Sequence, residues 1–300
     1  MTDPILEATG LGLRYRRNWA LRDCSLAVPR GRVVALVGPN GAGKTTLLHL
    51  VVGLLAPTRG SVRVLGEPGR DALERVAFMA QDKPLYDRFT VEDMLTLGRR
   101  MNPRWDGAAA RRRLDALGIP LNRKVNKLST GQQAQVALTC AVAKRPELLV
   151  LDEPLANLDP LARHDVMRGL MEAVAETELT VLLSSHVVAD LENTCDWLIV
   201  LSGGRVQVSG DIDELLAAHR LLTGPAAEAD AVAARTTVID DRRTGRQATL
   251  LLRTGESAPL LLSPQWTECP VGLEELVLGY LRRPDAATLP RPALATPART

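Results

Sequence analysis

The sequence predicts an α/β fold built on a largely parallel sheet, and three observations carry that expectation. A glycine-rich stretch, Gly38 to Thr46, is entered from the apolar run Val33-Val34-Ala35-Leu36-Val37 and left through Leu47-Leu48-His49-Leu50-Val51-Val52. That order reads as strand, loop, helix. Two later runs, Leu148-Leu149-Val150-Leu151 and Thr180-Val181-Leu182-Leu183-Ser184-Ser185, are short and apolar without alternation. Strands buried on both faces have that character, and the helical sequence between them is what parallel pairing needs.

Taken in order, residues 5–35 form a small β-rich start. Ile5 to Ala8 and Leu21 to Val28 alternate, broken by Gly10, Gly12 and Pro29-Arg30-Gly31, with Tyr15 in the loop between them. After the glycine-rich stretch, Pro57-Thr58-Arg59-Gly60 turns the chain into a strand over Ser61 to Leu65, and Arg75 to Ala80 is a further buried strand ending at Gln81. From about 84 to 145 the character is helical. Thr90-Val91-Glu92-Asp93 reads as a capping box for a helix to Met101. Asn102 to Asp106 breaks it, and Ala108 to Leu117 makes a second helix closed by Gly118. The run Arg111-Arg112-Arg113 is expected to be a solvated helix face. Asn126 to Gln133 opens a third helix through Ala143, and Asp159-Pro160 opens another that ends near Thr177. Trp197 to Leu201 and Arg205 to Val208 form a hairpin around Gly203-Gly204. Beyond it, a short helix over Asp213 to Arg220, a hairpin over Arg235 to Asp240 and Gln247 to Arg253, and a helix over Leu273 to Leu281 are expected. A Pro/Ala-rich tail from Pro284, expected to be disordered, follows.

Composition sets bounds on function. At 300 residues, 46% hydrophobic and 24% charged, the chain has room for one large domain or two modest ones. A formal net charge of +2 gives no bulk attraction to nucleic acid, and no nucleic-acid partner is expected. The four cysteines are scattered with no C-x-x-C pair, which argues against a disulfide framework or zinc site and fits a reducing compartment. Met1-Thr2-Asp3-Pro4 does not begin a basic-then-apolar segment, so no signal peptide is expected. No run of about 18 apolar residues is present either, so the chain is not expected to span a membrane itself.

The chemistry concentrates at the ends of the predicted buried strands. Gly38-Pro39-Asn40-Gly41-Ala42-Gly43-Lys44-Thr45-Thr46 fits G-x-x-x-x-G-K-[ST], the phosphate-binding loop. Glycines let successive backbone N–H groups converge on phosphate oxygens while the new helix points its positive end at them. In such a loop Lys44 reaches the β- and γ-phosphates and the Thr45 hydroxyl holds Mg²⁺. Asp152 and Glu153 end the strand Leu148 to Leu151, and paired carboxylates leaving a buried strand are costly unless a metal or a reaction uses them. In a phosphate-loop protein the first acid supports Mg²⁺ and the second orients water. Gln81 and His186 also follow strands, at the sheet edge where ligands bind in open α/β folds. The C-terminal block carries no recognisable chemistry.

With these residues in hand, the chain over roughly 5–220 resembles the ATP-binding subunits of ABC transporters. The motifs stand in the family's order: Tyr15, GPNGAGKTT at 38–46, Gln81, LSTGQ at 128–132, LLVLDEP at 148–154, NLD at 157–159 and His186. More narrowly it is similar to single-domain ATPases of bacterial drug, antibiotic and lipid exporters, which often carry a C-terminal extension. The resemblance implies an ABC-type P-loop ATPase at 1–220 with a helical insert, then a small α+β accessory region at 221–283 and the tail at 284–300.

It also implies roles. Tyr15 stacks on adenine; Gly38 to Thr46 hold the phosphates of ATP; Thr45, Gln81 and Asp152 serve Mg²⁺. Glu153 polarises the attacking water, His186 contacts the γ-phosphate, and Gln81 senses the metal and touches the membrane subunit through the helical insert. Ser129 and Gly131 contact the γ-phosphate of ATP bound to the opposite subunit, Asp159 lies across the same interface, and Gln132 belongs to the nucleotide-binding set. The implied partners are a separate transmembrane permease and a second ATPase copy, identical or different, with the chain cytoplasmic and peripheral on the inner face of the membrane.

One departure stands out: Thr130 occupies a position where the family usually has glycine. A β-branched residue there restricts the backbone, but Gly131 is kept, so a functional signature is expected, with hydrolysis open to alteration, or the weaker of two unequal sites where the partner is a different ATPase. Two other classes fit the sequence less well. Soluble ABC-type ATPases acting on ribosomes carry two tandem halves, and those acting on DNA insert long coiled coils; this chain has one phosphate loop and no heptads. A pure ATP-binding sensor would not need the second acid, Glu153.

Overall fold

The structure, a computed structural model of the chain, describes residues 3–83, 85–192, 194–254 and 263–283. Two sheets enclose the first helix. The outer one is antiparallel, in the order β2-β1-β4-β5, from β1 (Leu6–Tyr15), β2 (Asn18–Val28), β4 (Arg59–Val64) and β5 (Glu67–Pro68). The central one has six strands in the order β10-β9-β3-β8-β7-β6. These are β3 (Val33–Val37), β6 (Val76–Met79), β7 (Leu148–Leu151), β8 (Thr180–Ser185), β9 (Trp197–Ser202) and β10 (Arg205–Asp211). All its pairings are parallel except the β9–β10 hairpin.

Helix α1 (Lys44–Val51) lies between the sheets, where Leu47, Leu48, Leu50 and Val51 pack with Leu11, Leu21 and Leu26 on one side and Val34, Leu36, Val150 and Leu182 on the other. The opposite face of the central sheet is covered by α4 (Thr130–Ala143) and α5 (Pro160–Glu176), through Ala134, Leu138, Val166 and Leu170. Burial on both faces explains why β3, β7 and β8 are continuous apolar runs.

The register decides where the chemistry falls. Val37 of β3 stands beside Ser185 of β8, and Leu151 of β7 lies beside Leu183 of β8 and Met79 of β6. The phosphate loop, His186, Asp152-Glu153 and Gln81 therefore leave the sheet along one carboxyl edge.

The helical insert contains α2 (Val91–Met101), α3 (Gly107–Ala116) and α4, around a small core of Val91, Leu95, Leu114, Ile119 and Val136. Thr90 caps α2 in a full capping box with Asp93, as its sequence predicts. Helix α4 is the joint. Val136 and Ala143 belong to the insert core, whereas Ala134, Ala137 and Leu138 belong to the main one.

Several expectations change. Tyr15 ends a strand rather than sitting in a loop, because β1 runs on past Gly10 and Gly12. Register shifts absorb the left-handed Gly10. The expected helix over Asp213 to Arg220 is only α6 (Ile212–Ala217); His219 begins β11 (His219–Pro225), whose pairing with β13 outweighs continued helix. The hairpin of β12 (Thr237–Thr244) and β13 (Gln247–Arg253) is thus part of a four-stranded sheet, β12-β13-β11-β14, with β14 at Thr267–Cys269. One face of that sheet packs under Trp266 and under Ala229 of α7 (Ala229–Ala233). The other, through Ile239 and Leu251 with Leu276, Val277 and Tyr280 of α8 (Leu273–Arg282), shares one core with Leu198, Val200 and Val208 of the central sheet. The expected tail from Pro284 lies outside the described residues.

Arg113 is the remaining surprise. Arg111 and Arg112 are exposed, but the Arg113 guanidinium is drawn inward, donating to the Gly169 carbonyl and to Gln135. Among the described residues, no helix is long and apolar enough to cross a membrane.

Candidate nucleotide site

The phosphate loop is shaped by contacts behind it. A Cβ on Gly38 would fall 2.2 Å from the Leu201 carbonyl, and one on Gly43 would fall 2.7 Å from the Ala20 carbonyl, in a backbone already at φ +104°. Only glycine fits at Gly43 on both counts. Gly43 is also the N-cap of α1, with no side-chain cap and no acid in the first turn. The first N–H groups of that helix are left for an anion.

In front of the loop is a cleft of about 360 Å³ lined by Ala20, Pro39, Asn40, Gly41, Gly43, Lys44, Thr45, Thr46, Gln81, Glu153 and His186. Of the single edge predicted for Lys44, Gln81, Asp152 and His186, the cleft takes Lys44, Gln81 and His186, with Glu153 lining it in place of Asp152. Gly38 and Ala42 belong to the loop but do not line the cleft.

Lys44 is buried, and its ammonium donates to the Gly38 carbonyl (2.7 Å) and the Pro39 carbonyl (3.4 Å), with Glu153 Oε1 at 3.3 Å. The other Glu153 oxygen lies 2.6 Å from His186 Nδ1. One carboxylate therefore bridges the cation of the phosphate loop and the histidine after β8. Two buried carboxylates in sequence would repel and lose hydration without such partners.

Ser184 completes the arrangement. Its hydroxyl donates to Asp152 Oδ1 (2.7 Å) and accepts from the Glu153 backbone N–H (2.9 Å). Glu153 itself is left-handed, at φ 47°, a conformation a glutamate adopts only when its surroundings hold it there. Sequence reasoning missed Ser184; a fully buried serine in an otherwise aliphatic strand was the available signal. It also missed Lys83, whose ammonium donates to the Ala156 carbonyl and so ties the Gln81 loop to the loop after β7. Burial pushes the Lys83 pKa down.

The remaining predicted residues stand elsewhere. Tyr15 is 52% exposed at the end of β1 and does not line the cleft. Ser129 caps α4, its Oγ accepting from Gln132 N–H while Gln132 Oε1 accepts from Ser129 N–H. Asp159 caps α5. These two helix N-termini are neighbours: a Cβ on Gly131 would come 2.9 Å from the Ala162 Cβ. Gly131 is thus demanded here by helix packing. Neither it nor Thr130 has positive φ, Thr130 being the first residue of a regular helix. The backbone objection to Thr130 therefore does not hold.

For a metal, the described residues contain no cluster of three His, Cys, Asp or Glu side chains. Mg²⁺ takes hard oxygen donors, a few of them from protein. The Thr45 hydroxyl, the Gln81 amide oxygen and Asp152 could serve it.

A phosphate loop at the carboxyl edge of a parallel sheet, facing a carboxylate pair and a histidine, defines a P-loop nucleoside triphosphatase. Likeness to known proteins narrows the class. A family model described as ABC transporter matches residues 21–156. The Nod factor export ATP-binding protein I of Cupriavidus pinatubonensis (strain JMP 134 / LMG 1197) is 31% identical over 294 residues, 91% of this chain and 90% of the relative. The thiamine import ATP-binding protein ThiQ of Salmonella choleraesuis (strain SC-B67) is 36% identical over 205 residues, 64% of this chain and 85% of the relative. A solved structure of an ATP-binding subunit of an ABC transporter superposes with a TM-score of 0.63 at 32% identity, covering 71% of this chain and 92% of that one. The chain belongs to the ATP-binding subunits of ABC transporters, and its cassette binds and hydrolyses ATP.

Proposed function

We propose that this chain binds MgATP between two ATPase copies and drives a separate membrane-spanning permease as an exporter, resting peripherally on the cytoplasmic face of the membrane. The observation that carries the two-copy reading is the separation within one chain. Lys44, Glu153 and His186 line the cleft, whereas Ser129, Gly131, Gln132 and Asp159 gather at the N-termini of α4 and α5 and do not. A second copy facing the first would bring those N-termini, positive ends foremost, onto the nucleotide.

Export is supported by the long match to a Nod factor export protein, which runs through the C-terminal region as well as the cassette, whereas the thiamine import relative matches 64% of the chain. The division into a cassette at 1–220 with an insert over about 84–145 and an accessory region at 221–283 belongs to the same proposal.

The chemistry needs little more than positioning and charge. Mg²⁺, held by Thr45, Gln81 and Asp152, would neutralise phosphate charge. The Lys44 ammonium and the open N–H groups of α1 bind phosphate oxygens. Glu153 orients water for in-line attack, and His186, hydrogen-bonded to Glu153, couples that carboxylate to the γ-phosphate. Tyr15, exposed at the end of β1, would supply a ring for adenine.

The test is Glu153→Gln, which should keep ATP binding, lose at least about 100-fold in turnover, and accumulate as an ATP-held dimer in light scattering. A variant that stays monomeric with ATP contradicts the two-copy site. Affinity capture from detergent-solubilised host membranes should bring down a multi-spanning chain in near-equal amount; recovery of ribosomes or soluble protein alone would refute the transport role.

A further inference from the structure

Arg113 is an unusual side chain for the third position of an arginine run. It leaves α3, passes α4 and ends on α5: Nη1 donates to the Gly169 carbonyl (2.8 Å) and Nη2 to Gln135 Oε1 (3.3 Å). Gly169 makes the approach possible, since a Cβ there would sit 2.1 Å from Arg113 Nη2. The guanidinium is largely withdrawn from water, which lowers its pKa, and Glu172 and Glu176 of α5 offset part of that cost. Its Nε and Gln135 Nε2 are buried and have no hydrogen-bond partner among the described residues.

The two helices it spans carry the residues assigned to the nucleotide of the opposite copy. Gln135 is one turn beyond Gly131 on α4, and Gly169 is two turns beyond Ala162 on α5, the residue against which Gly131 packs. The N-terminus of α5 is joined directly to the catalytic loop. Asp159 caps it, Arg163 Nε donates to the Leu158 carbonyl, and Ala156 N–H donates to the Glu153 carbonyl.

We propose that Arg113 is a positioning residue. By bridging Gln135 and Gly169 it fixes α4 against α5 and so sets how Ser129, Gly131 and Asp159 stand relative to Glu153. Because Arg113 belongs to α3, a displacement of the helical insert pulls on the same bridge and reaches the catalytic loop through α5. The nucleotide-binding elements, β3 and α1, are not part of this path. This inference rests on the two-copy ATP site proposed above.

The experiment compares kcat, KM and the affinity for a fluorescent ATP analogue in Arg113→Ala, Arg113→Lys and Gly169→Ala, below the melting temperature of each. Arg113→Ala removes the bridge. Gly169→Ala displaces it while keeping the charge, and Arg113→Lys offers one point donor where two acceptors wait. The expected result is a fall in kcat of about tenfold for Arg113→Ala and Gly169→Ala, less for Arg113→Lys. Analogue affinity should stay within about twofold. Should Arg113→Ala fail to fold, the other two variants decide.

Folded variants with near-wild-type kcat and a lowered melting temperature would reduce Arg113 to a stability residue and overturn the proposal. So would kcat and analogue affinity falling together. Glu153→Gln separates the two levels. Continued turnover in that variant overturns the reading of the site, whereas its inactivity beside fully active Arg113 and Gly169 variants overturns only the positioning role.

Discussion

Ser184→Ala removes one hydroxyl and tests how the acid pair is held. Ser184 is fully buried, and its Oγ both donates to Asp152 and accepts from the Glu153 N–H. A buried donor left without an acceptor costs about 1–3 kcal/mol, and a lost bond to a carboxylate about 1.5–3 kcal/mol. Both losses come from one atom, so they overlap, and about 2–3 kcal/mol is expected in all. Glu153 has a second option, because its left-handed backbone is strained. Without the Ser184 acceptor it can relax, recovering about 1 kcal/mol while moving the carboxylate.

The structure therefore predicts a modest stability loss coupled to a large activity loss. For a chain of this length, ~2 kcal/mol lowers the melting temperature by roughly 3–4 °C. Displacement of the carboxylate by a fraction of an ångström or more should lower kcat about tenfold, with KM for ATP little changed. Calorimetry and steady-state phosphate release measure both. Wild-type kcat in Ser184→Ala would refute the reasoning even if the melting temperature fell, since Glu153 would then be oriented without Ser184.

Three further outcomes follow from the geometry. Thr130→Gly should cost only about 0.3 kcal/mol through helix propensity and leave ATP turnover unchanged, because Thr130 sits in ordinary helical backbone; a severalfold rise in kcat would show that the threonine restrains the signature loop after all. Glu147 is held by Arg75 first, with Arg104 and Arg30, and its carboxyl is pushed from an ordinary 4.5 down to about 2. A depressed acid stabilises the fold above its unfolded pKa, so that contribution should fade as pH falls from 4.5 toward 2. Melting temperature against pH should accordingly lose part of its acid slope in Glu147→Gln, and an unchanged slope would contradict the assignment. Burial pushes the thiols up to about 11 for Cys24 and about 12 for Cys140 and Cys195, whereas Cys269 is exposed. A native thiol titration near neutral pH should find one fast-reacting cysteine, and two or more would place a second thiol at the surface.

The phosphate loop, the buried strands and the acids at their ends were legible because each is local. Period, glycine spacing and strand-end position lie within a dozen residues of one another. Sequence by itself thus determined the α/β class, the family, and Lys44, Gln81, Asp152 and His186 as residues of one edge; that Glu153 rather than Asp152 lines the cleft came from the structure. It did not reveal Ser184 as the support of Asp152 and Glu153, because that contact joins residues about 30 apart and exists only through the β7–β8 register.

Arg113 misled for a related reason. Its neighbours in the run face water, and only the meeting of α3, α4 and α5 over Gly169 draws it inward. Thr130 departs from a glycine position in the motif, yet in the fold it is the first residue of a regular helix. The C-terminal sheet was half visible as a hairpin, but β11 and β14 form strands only by pairing with partners distant in sequence. Local pattern specifies what each segment can be, while pairing and packing between segments far apart in the chain decide which side chains meet, and the support of the catalytic carboxylate depends on those meetings.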